Sequence, residues 1–240
     1  MARALVPLKD LVQAKTRLAG LLCPSERRAL TQAMLEDVLQ VLTTHPEIKQ
    51  VILLSDDPSA PLLARQWGLL HWPESKAGGS GLNAVAARAS ELLLGDAEGP
   101  LLVLHADLPL LGADDISAVL AEQARTGGLV IGCDRHGDGT NLLAFGRPGM
   151  PRFQFGPGSC GKHLDAARQA GIAVEVLRRS GLALDVDEPQ DLAQLLAAFA
   201  AGAGRRTREL LVDTAVGRRL DLALATLASA SGEELAGAQG

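Results

Sequence analysis

Tyrosine is absent from this 240-residue chain, and phenylalanine and tryptophan bring aromatics to only 2%. Stacking platforms for single-stranded nucleic acid are therefore scarce. A formal charge of −5 argues against a broad surface that tracks nucleic-acid phosphates. Cysteine occurs at Cys23, Cys133 and Cys160 alone, with no Cys-x-x-Cys pair. That spacing disfavours a zinc site and fits a reducing compartment. No run approaches the roughly 20 apolar residues that cross a bilayer. The opening MARALVPLKD has too short an apolar stretch for a signal peptide. The expectation is a soluble, cytoplasmic protein with neither nucleic acid nor membrane as partner.

What the chain does have is apolar mass: 47% hydrophobic residues against 21% charged, enough for a substantial core. Short apolar runs at 4–8, 49–55, 100–105 and 129–133 read as buried strands. Leu30, Met34, Val38, Val41 and Leu42 recur at spacings of three and four, which predicts an amphipathic helix over 24–44. Further helices are predicted over 60–67, 82–94, 114–125 and 162–170, and from 188 onward. Further strands are predicted at 69–72, 141–145, 173–178 and 182–186. Gly137-Asp138-Gly139 reads as the turn that pairs 129–133 with 141–145. This alternation predicts an α/β protein whose sheet is covered on both faces. Ligands in such folds lie beyond the carboxyl ends of the strands. The main domain is predicted to span 1–201. Residues 202–240 read as an extension: a linker, a helix over about 205–228 and a fraying end.

Four constellations could carry chemistry. Lys9, Lys15 and Arg17 follow the first strand, where cations can reach polyphosphate oxygens. The plain alternative is a solvated charged loop. His105-Ala106-Asp107-Leu108-Pro109 and Leu184-Asp185-Val186-Asp187-Glu188-Pro189 place carboxylates where strands are predicted to stop. Magnesium takes one or two such oxygens together with substrate phosphates. Alternatively, Asp107 and Asp187 only shape turns before the prolines. The glycine-rich run from Gly78 to Asn83 allows close backbone approach and opens a helix whose N–H groups face a ligand, unless it is only a flexible loop. Last, Gly156 to His163 nearly spells a P-loop, but His163 stands where the magnesium-binding hydroxyl belongs. A loop that offers Ser159 and backbone N–H groups to a different phosphate fits better. The histidines form no nucleophilic triad, and His71, His136 and His163 are predicted to be surface or loop residues.

Taken in order, VPLKDLVQAKTRLAGLL, the Asp56-Asp57-Pro58 turn, GGSGLN, ADLPLL, DRHGDGTN, FGPGS and LALDVDEPQDL resemble one family over residues 2 to 200. These are the phosphoacid guanylyltransferases of coenzyme F420 biosynthesis. The resemblance implies a Rossmann-like, three-layer nucleotidyltransferase fold with a central, mostly parallel mixed sheet. It implies GTP and a phosphorylated three-carbon acid as partners: 2-phospho-L-lactate, phosphoenolpyruvate or 3-phospho-D-glycerate. It also implies Mg2+ as cofactor, bound by Asp107, Asp185 and Asp187. Lys9, Lys15 and Arg17 would hold the GTP phosphates, and Asp107, Lys15 and Arg17 would serve catalysis. Gly79, Gly81 and Asn83 would lie along the guanosine, and Thr140, Gly156 and Ser159 would hold the phosphoacid. His105 is a departure, since relatives more often carry a small residue or proline there. A homodimer and hand-over of the adduct to a downstream transferase stay open. So do two rival readings. A molybdopterin or sugar-phosphate nucleotidyltransferase usually has a glycine-rich first loop, which PLKDLVQAKTRL replaces here. A non-catalytic nucleotide-binding regulator would not require the three aspartates.

Overall fold

The computed structural model describes residues 1–9, 11, 14–95, 99–199, 203–212 and 214–237, with side chains through 226. Asp10, Val12 and Gln13 of the cationic loop, part of the predicted linker and residues 238–240 of the predicted fraying end lie outside the described residues, and the rest of that end continues in a helix.

The strands are β1 (Ala2–Pro7), β2 (Ile48–Leu54), β3 (Leu70–Trp72), β4 (Leu101–Leu104), β5 (Leu129–Cys133), β6 (Thr140–Phe145) and β7 (Val174–Leu177). They form one seven-stranded sheet in the order β3-β2-β1-β4-β6-β5-β7. Only β6 runs antiparallel to its neighbours β4 and β5, and the predicted turn joins it to β5. The helices are α1 (Pro24–Thr44), α2 (Ala60–Trp67), α3 (Glu74–Ala77), α4 (Leu82–Leu94), α5 (Ala113–Thr126) and α6 (Ser159–Gln169). They continue with α7 (Ser180–Ala183), α8 (Pro189–Ala198), α9 (Arg205–Leu211) and α10 (Ala215–Gly237).

Successive side chains of a strand point to opposite faces. Ala4 and Val6 of β1 accordingly pack with Leu35, Val38 and Leu39 of α1. Leu5 turns the other way, toward Ala86 and Ala89 of α4. Both faces are thus covered, and each fully buried Leu or Val contributes about 1.5–3 kcal/mol. β1 pairs with β2 on one side and β4 on the other. The crevice beyond the carboxyl ends of β1 and β4 is therefore the switch point at which such sheets bind ligands.

Several sequence expectations are corrected. Residues 182–186 do not form a strand: Ser180–Ala183 make α7, and the following residues cross the end of the sheet without pairing. The alternation that suggested a strand comes from packing. Leu182 enters the core beside α5, while Leu184 and Val186 bury with α1 and α8. Asp185 and Asp187 therefore sit on a crossing segment rather than at a strand end. Helix α6 starts at Ser159, because Gly158 takes a left-handed φ of 69° and turns the chain into it. The last predicted helix is two, α9 and α10. Asp37 of α1 accepts the N–H groups of Arg206 and Thr207 at 2.9 Å and docks the start of α9. Leu211 and Leu220 then join Leu30, Met34, Leu195 and Phe199 in a third apolar cluster. Cys133 and Cys160 are joined as a disulfide, with Cα atoms 6.2 Å apart and a sequence separation of 27. Their sequence separation concealed that β5 ends beside the start of α6.

Candidate active site

A cavity of about 550 Å³ opens beyond the ends of β1 and β4, lined by Pro7, Leu8, Lys9, Lys15, Leu82, His105, Asp107 and Asp187, among others. That volume suits a nucleotide-sized ligand. The elements around it converge on Lys15, the only non-glycine residue with positive φ (56°) among the described residues. A left-handed backbone at such a residue is sparsely populated and persists when surrounding contacts dictate it. Here the side chain supplies the contacts. It is 6% exposed, its ammonium bonds Asp107, and it lies 2.7 Å from Asp187 Oδ1.

The electrostatics follow from that placement. Burial alone would lower the pKa of Lys15, but the carboxylates of Asp107 and Asp187 outweigh it and hold the ammonium above its ordinary range. For Asp107, burial pushes the carboxyl up, and the opposing charges of Lys15 and His105 leave it below the usual value. Asp185 goes the other way: burial raises it, and the nearby Asp107 charge raises it further. Among the described residues, no three His, Cys, Asp or Glu side chains converge as a ready-made metal site. Instead Lys15 Nζ stands between two of the carboxylates. Asp107 Oδ1 is nevertheless buried without a hydrogen-bond partner. Three carboxylates against one ammonium also leave an excess of negative charge. Hard oxygen donors with residual negative charge fit a divalent cation such as Mg2+.

Neighbouring groups hold these side chains in place. The Leu11 N–H donates to Asp57 Oδ2 at 2.8 Å, which ties the first loop to the end of β2. Burial would raise the Asp57 carboxyl, but hydrogen bonds from Ser59 and Leu11 hold it below its ordinary value. Asp191 accepts the N–H groups of Asp187 and Glu188 at 2.8 and 2.7 Å and pairs with Arg135 at 2.5 Å. Asn141 Nδ2 donates to the Leu182 carbonyl at 2.9 Å and to Asp185 Oδ1 at 3.3 Å. Sequence reasoning missed Asn141 and Asp191 as supports. Asp191, three residues after Glu188 and just past a proline, carries a legible capping-box signature.

The predicted site residues divide into those on the cavity and those behind it. Lys9, Lys15, Asp107 and Asp187 line it. Arg17 is exposed and pairs with Glu188 at 2.7 Å, off the cavity wall. Gly79 and Gly81 turn the chain into α4. Gly79 has φ 94°, and a Cβ there would come 3.0 Å from that of Ala84. Asn83 is not among the residues that line the cavity and clamps the backbone of Phe155: Phe155 N–H donates to Oδ1 at 2.7 Å, and Nδ2 donates to the Phe155 carbonyl at 3.2 Å. Thr140 and Ser159 are each 2% exposed, and the Thr140 N–H donates to Ser159 Oγ at 2.8 Å. Gly156 is exposed, with φ 121°. These three do not line the cavity. His105 connects them to it, because it lines the wall and packs its ring on Phe155 at 5.3 Å. His105 Nε2 is a second buried atom without a partner. His163, predicted to be on the surface, is completely buried.

The architecture defines the class first. A crystal structure from Desulfovibrio desulfuricans, assigned as a nucleotide-diphospho-sugar transferase, has the same fold with a TM-score of 0.77 at 19% identity; the match covers 94% of this chain and 97% of that one. The chain thus shares that α/β fold, with a mostly parallel mixed sheet. Within that class, the family model described as guanylyl transferase CofC like matches residues 2–221, and the chain belongs to that family. The phosphoenolpyruvate guanylyltransferase of Rubrobacter xylanophilus is 40% identical over 192 residues, which are 80% of this chain and 92% of that protein. The 2-phospho-L-lactate guanylyltransferase of Methanothermobacter thermautotrophicus is 32% identical over 208 residues, covering 87% and 88%.

Proposed function

We propose that this protein transfers GMP from GTP to the phosphate of a phosphorylated three-carbon acid, as a step in making coenzyme F420. Family membership over residues 2–221, together with the acidic and cationic cavity at the β1–β4 crevice, carries this reading. The 40% identity to a phosphoenolpyruvate guanylyltransferase makes phosphoenolpyruvate the first acid to test.

The acid brings its own nucleophile. A phosphate monoester has a second pKa of about 6 and is largely ionised near neutrality. One of its oxygens attacks the α-phosphorus of GTP, the bond to the bridging oxygen breaks, and pyrophosphate leaves with the electron pair. No protein base is required. The task left to the protein is to bring two polyanions together in line. Lys9 and Lys15 supply positive charge at the cavity wall. Asp107, Asp185 and Asp187 would hold Mg2+, which supplies Lewis-acid offset of charge on the phosphates. Thr140, Gly156 and Ser159 would seat the acid, and Gly79, Gly81 and Asn83 would lie along the guanosine. No helix among the described residues is long and apolar enough to cross a membrane. A GTP-consuming enzyme belongs with the cytoplasmic nucleotide pool. An activated diphosphate adduct is a substrate for a further transferase, to which we propose it is handed on.

The test supplies GTP, MgCl2 and each candidate acid in turn and measures pyrophosphate release and adduct mass. Release that depends on both GTP and one of the three acids is expected. Release with none of them, or release with a molybdopterin or sugar phosphate instead, overturns the reading.

A further inference from the structure

We infer that His163 is a positioning residue for the acid: its ring sets the Thr140 hydroxyl as an acceptor on one side, so the hydroxyl hydrogen is left to be donated to the acid's anionic oxygens. This rests on the guanylyltransferase reading above.

The geometry dictates the direction of each bond. His163 lies on α6 with no exposed surface. The backbone N–H of Gln154 points at His163 Nε2 from 2.8 Å. A backbone N–H only donates, so Nε2 presents its lone pair, and the single proton of a neutral imidazole must then sit on Nδ1. Nδ1 is 3.0 Å from Thr140 Oγ1, so the ring donates and the hydroxyl accepts. Burial pushes the ring down to about 4, with the Ser159 backbone partly opposing, so the neutral form prevails near neutrality. A hydroxyl has one hydrogen and two lone pairs. With a lone pair of Thr140 Oγ1 taken by His163, its hydrogen has no acceptor among the described residues. Ser159 Oγ is in the same state, since it accepts the Thr140 N–H at 2.8 Å. Two neighbouring hydroxyls are thus both acceptors toward the protein and both retain a hydrogen for an anion. The same ring ties β6 to the segment carrying Phe155 and Gly156, and Phe155 meets it edge-on at 5.3 Å. His163 occupies the position at which the near-P-loop pattern would carry a hydroxyl, and it orients hydroxyls elsewhere instead of supplying one.

Two measurements test this. Nitrogen–proton correlation spectra of the histidine-labelled wild-type protein at pH 7 should show His163 neutral with its proton on Nδ1. A proton on Nε2, or a charged ring, overturns the inference without any variant having to fold. In steady-state kinetics, His163→Leu and Thr140→Val should each raise KM for phosphoenolpyruvate about tenfold, the scale of one lost hydrogen bond to a charged group, with KM for GTP nearly unchanged. The double variant should be little worse than either single one. His163→Asn, which retains an N–H donor near the Nδ1 position, should recover most of the loss. Multiplying effects in the double variant, or an equal rise in KM for GTP, overturns the inference. If the wild type releases no pyrophosphate with any acid, the guanylyltransferase reading fails instead.

Discussion

Lys15 Nζ stands 2.7 Å from Asp187 Oδ1, across 172 residues of chain, and the same buried ammonium bonds Asp107. One side chain therefore joins the first loop to both acidic segments and occupies the space between two of the predicted metal ligands. In this arrangement the lysine serves as a counter-charge to both carboxylates, and a divalent cation bound there would have to share them with it.

Lys15→Met removes that counter-charge. Turnover should fall by at least about 100-fold, the scale of one lost electrostatic stabiliser. At the same time the carboxylates, left to repel each other, should gain more from a divalent cation. The rise in thermal midpoint on adding MgCl2 should be larger in the variant than in the wild type. An identical response in the two proteins would show that Lys15 and the cation do not share these ligands.

Asp107→Ala should abolish adduct formation while the fold survives. Asp107 Oδ1 has no hydrogen-bond partner, so its loss costs the fold the Lys15 bond and the looser pairing with His105 at 4.0 Å. Far-UV circular dichroism and pyrophosphate release, measured on the same sample, check both halves. Near-normal release would remove Asp107 from the metal site.

Asp37→Ala tests the C-terminal segment. Asp37 caps α9 through Arg206 and Thr207, and its carboxylate also accepts the Thr207 hydroxyl at 2.7 Å. Loss of such a cap costs roughly 1–2 kcal/mol. Denaturant titration should show that loss, with KM for the acid unchanged. A large kinetic effect would instead connect α9 to the cavity.

His163 sets an acid limb of stability. Its ring titrates near 6.5 when unfolded and is pushed down to about 4 in the fold. Between those values the unfolded state binds more protons, so stability rises with pH there and is lost as pH falls from about 6.5 to about 4. The full effect of such a shift is on the order of 3 kcal/mol. Unfolding curves across this window should flatten in His163→Asn. Equal slopes in variant and wild type would mean that the ring is not held neutral.

The sequence alone was informative where physics is local. Buried runs at β1, β2, β4 and β5 and the spaced apolar residues of α1 announced an α/β sheet covered on both faces, because burial and periodicity act over a few residues. The same logic misread 182–186, where alternating burial against α1, α5 and α8 imitates a strand with no strand to pair with. Ordered motifs named the aspartates and Lys15, yet not that Lys15 Nζ bridges Asp107 and Asp187. Composition, periodicity and motif order by themselves determined the fold class, the family resemblance and the candidate charged residues. Only the tertiary structure decided that Arg17 turns to Glu188, that Asn83 clamps Phe155, and that His163 is buried with a fixed proton. Those facts depend on which distant segments meet, and hydrogen-bond direction exists only once both partners are in place.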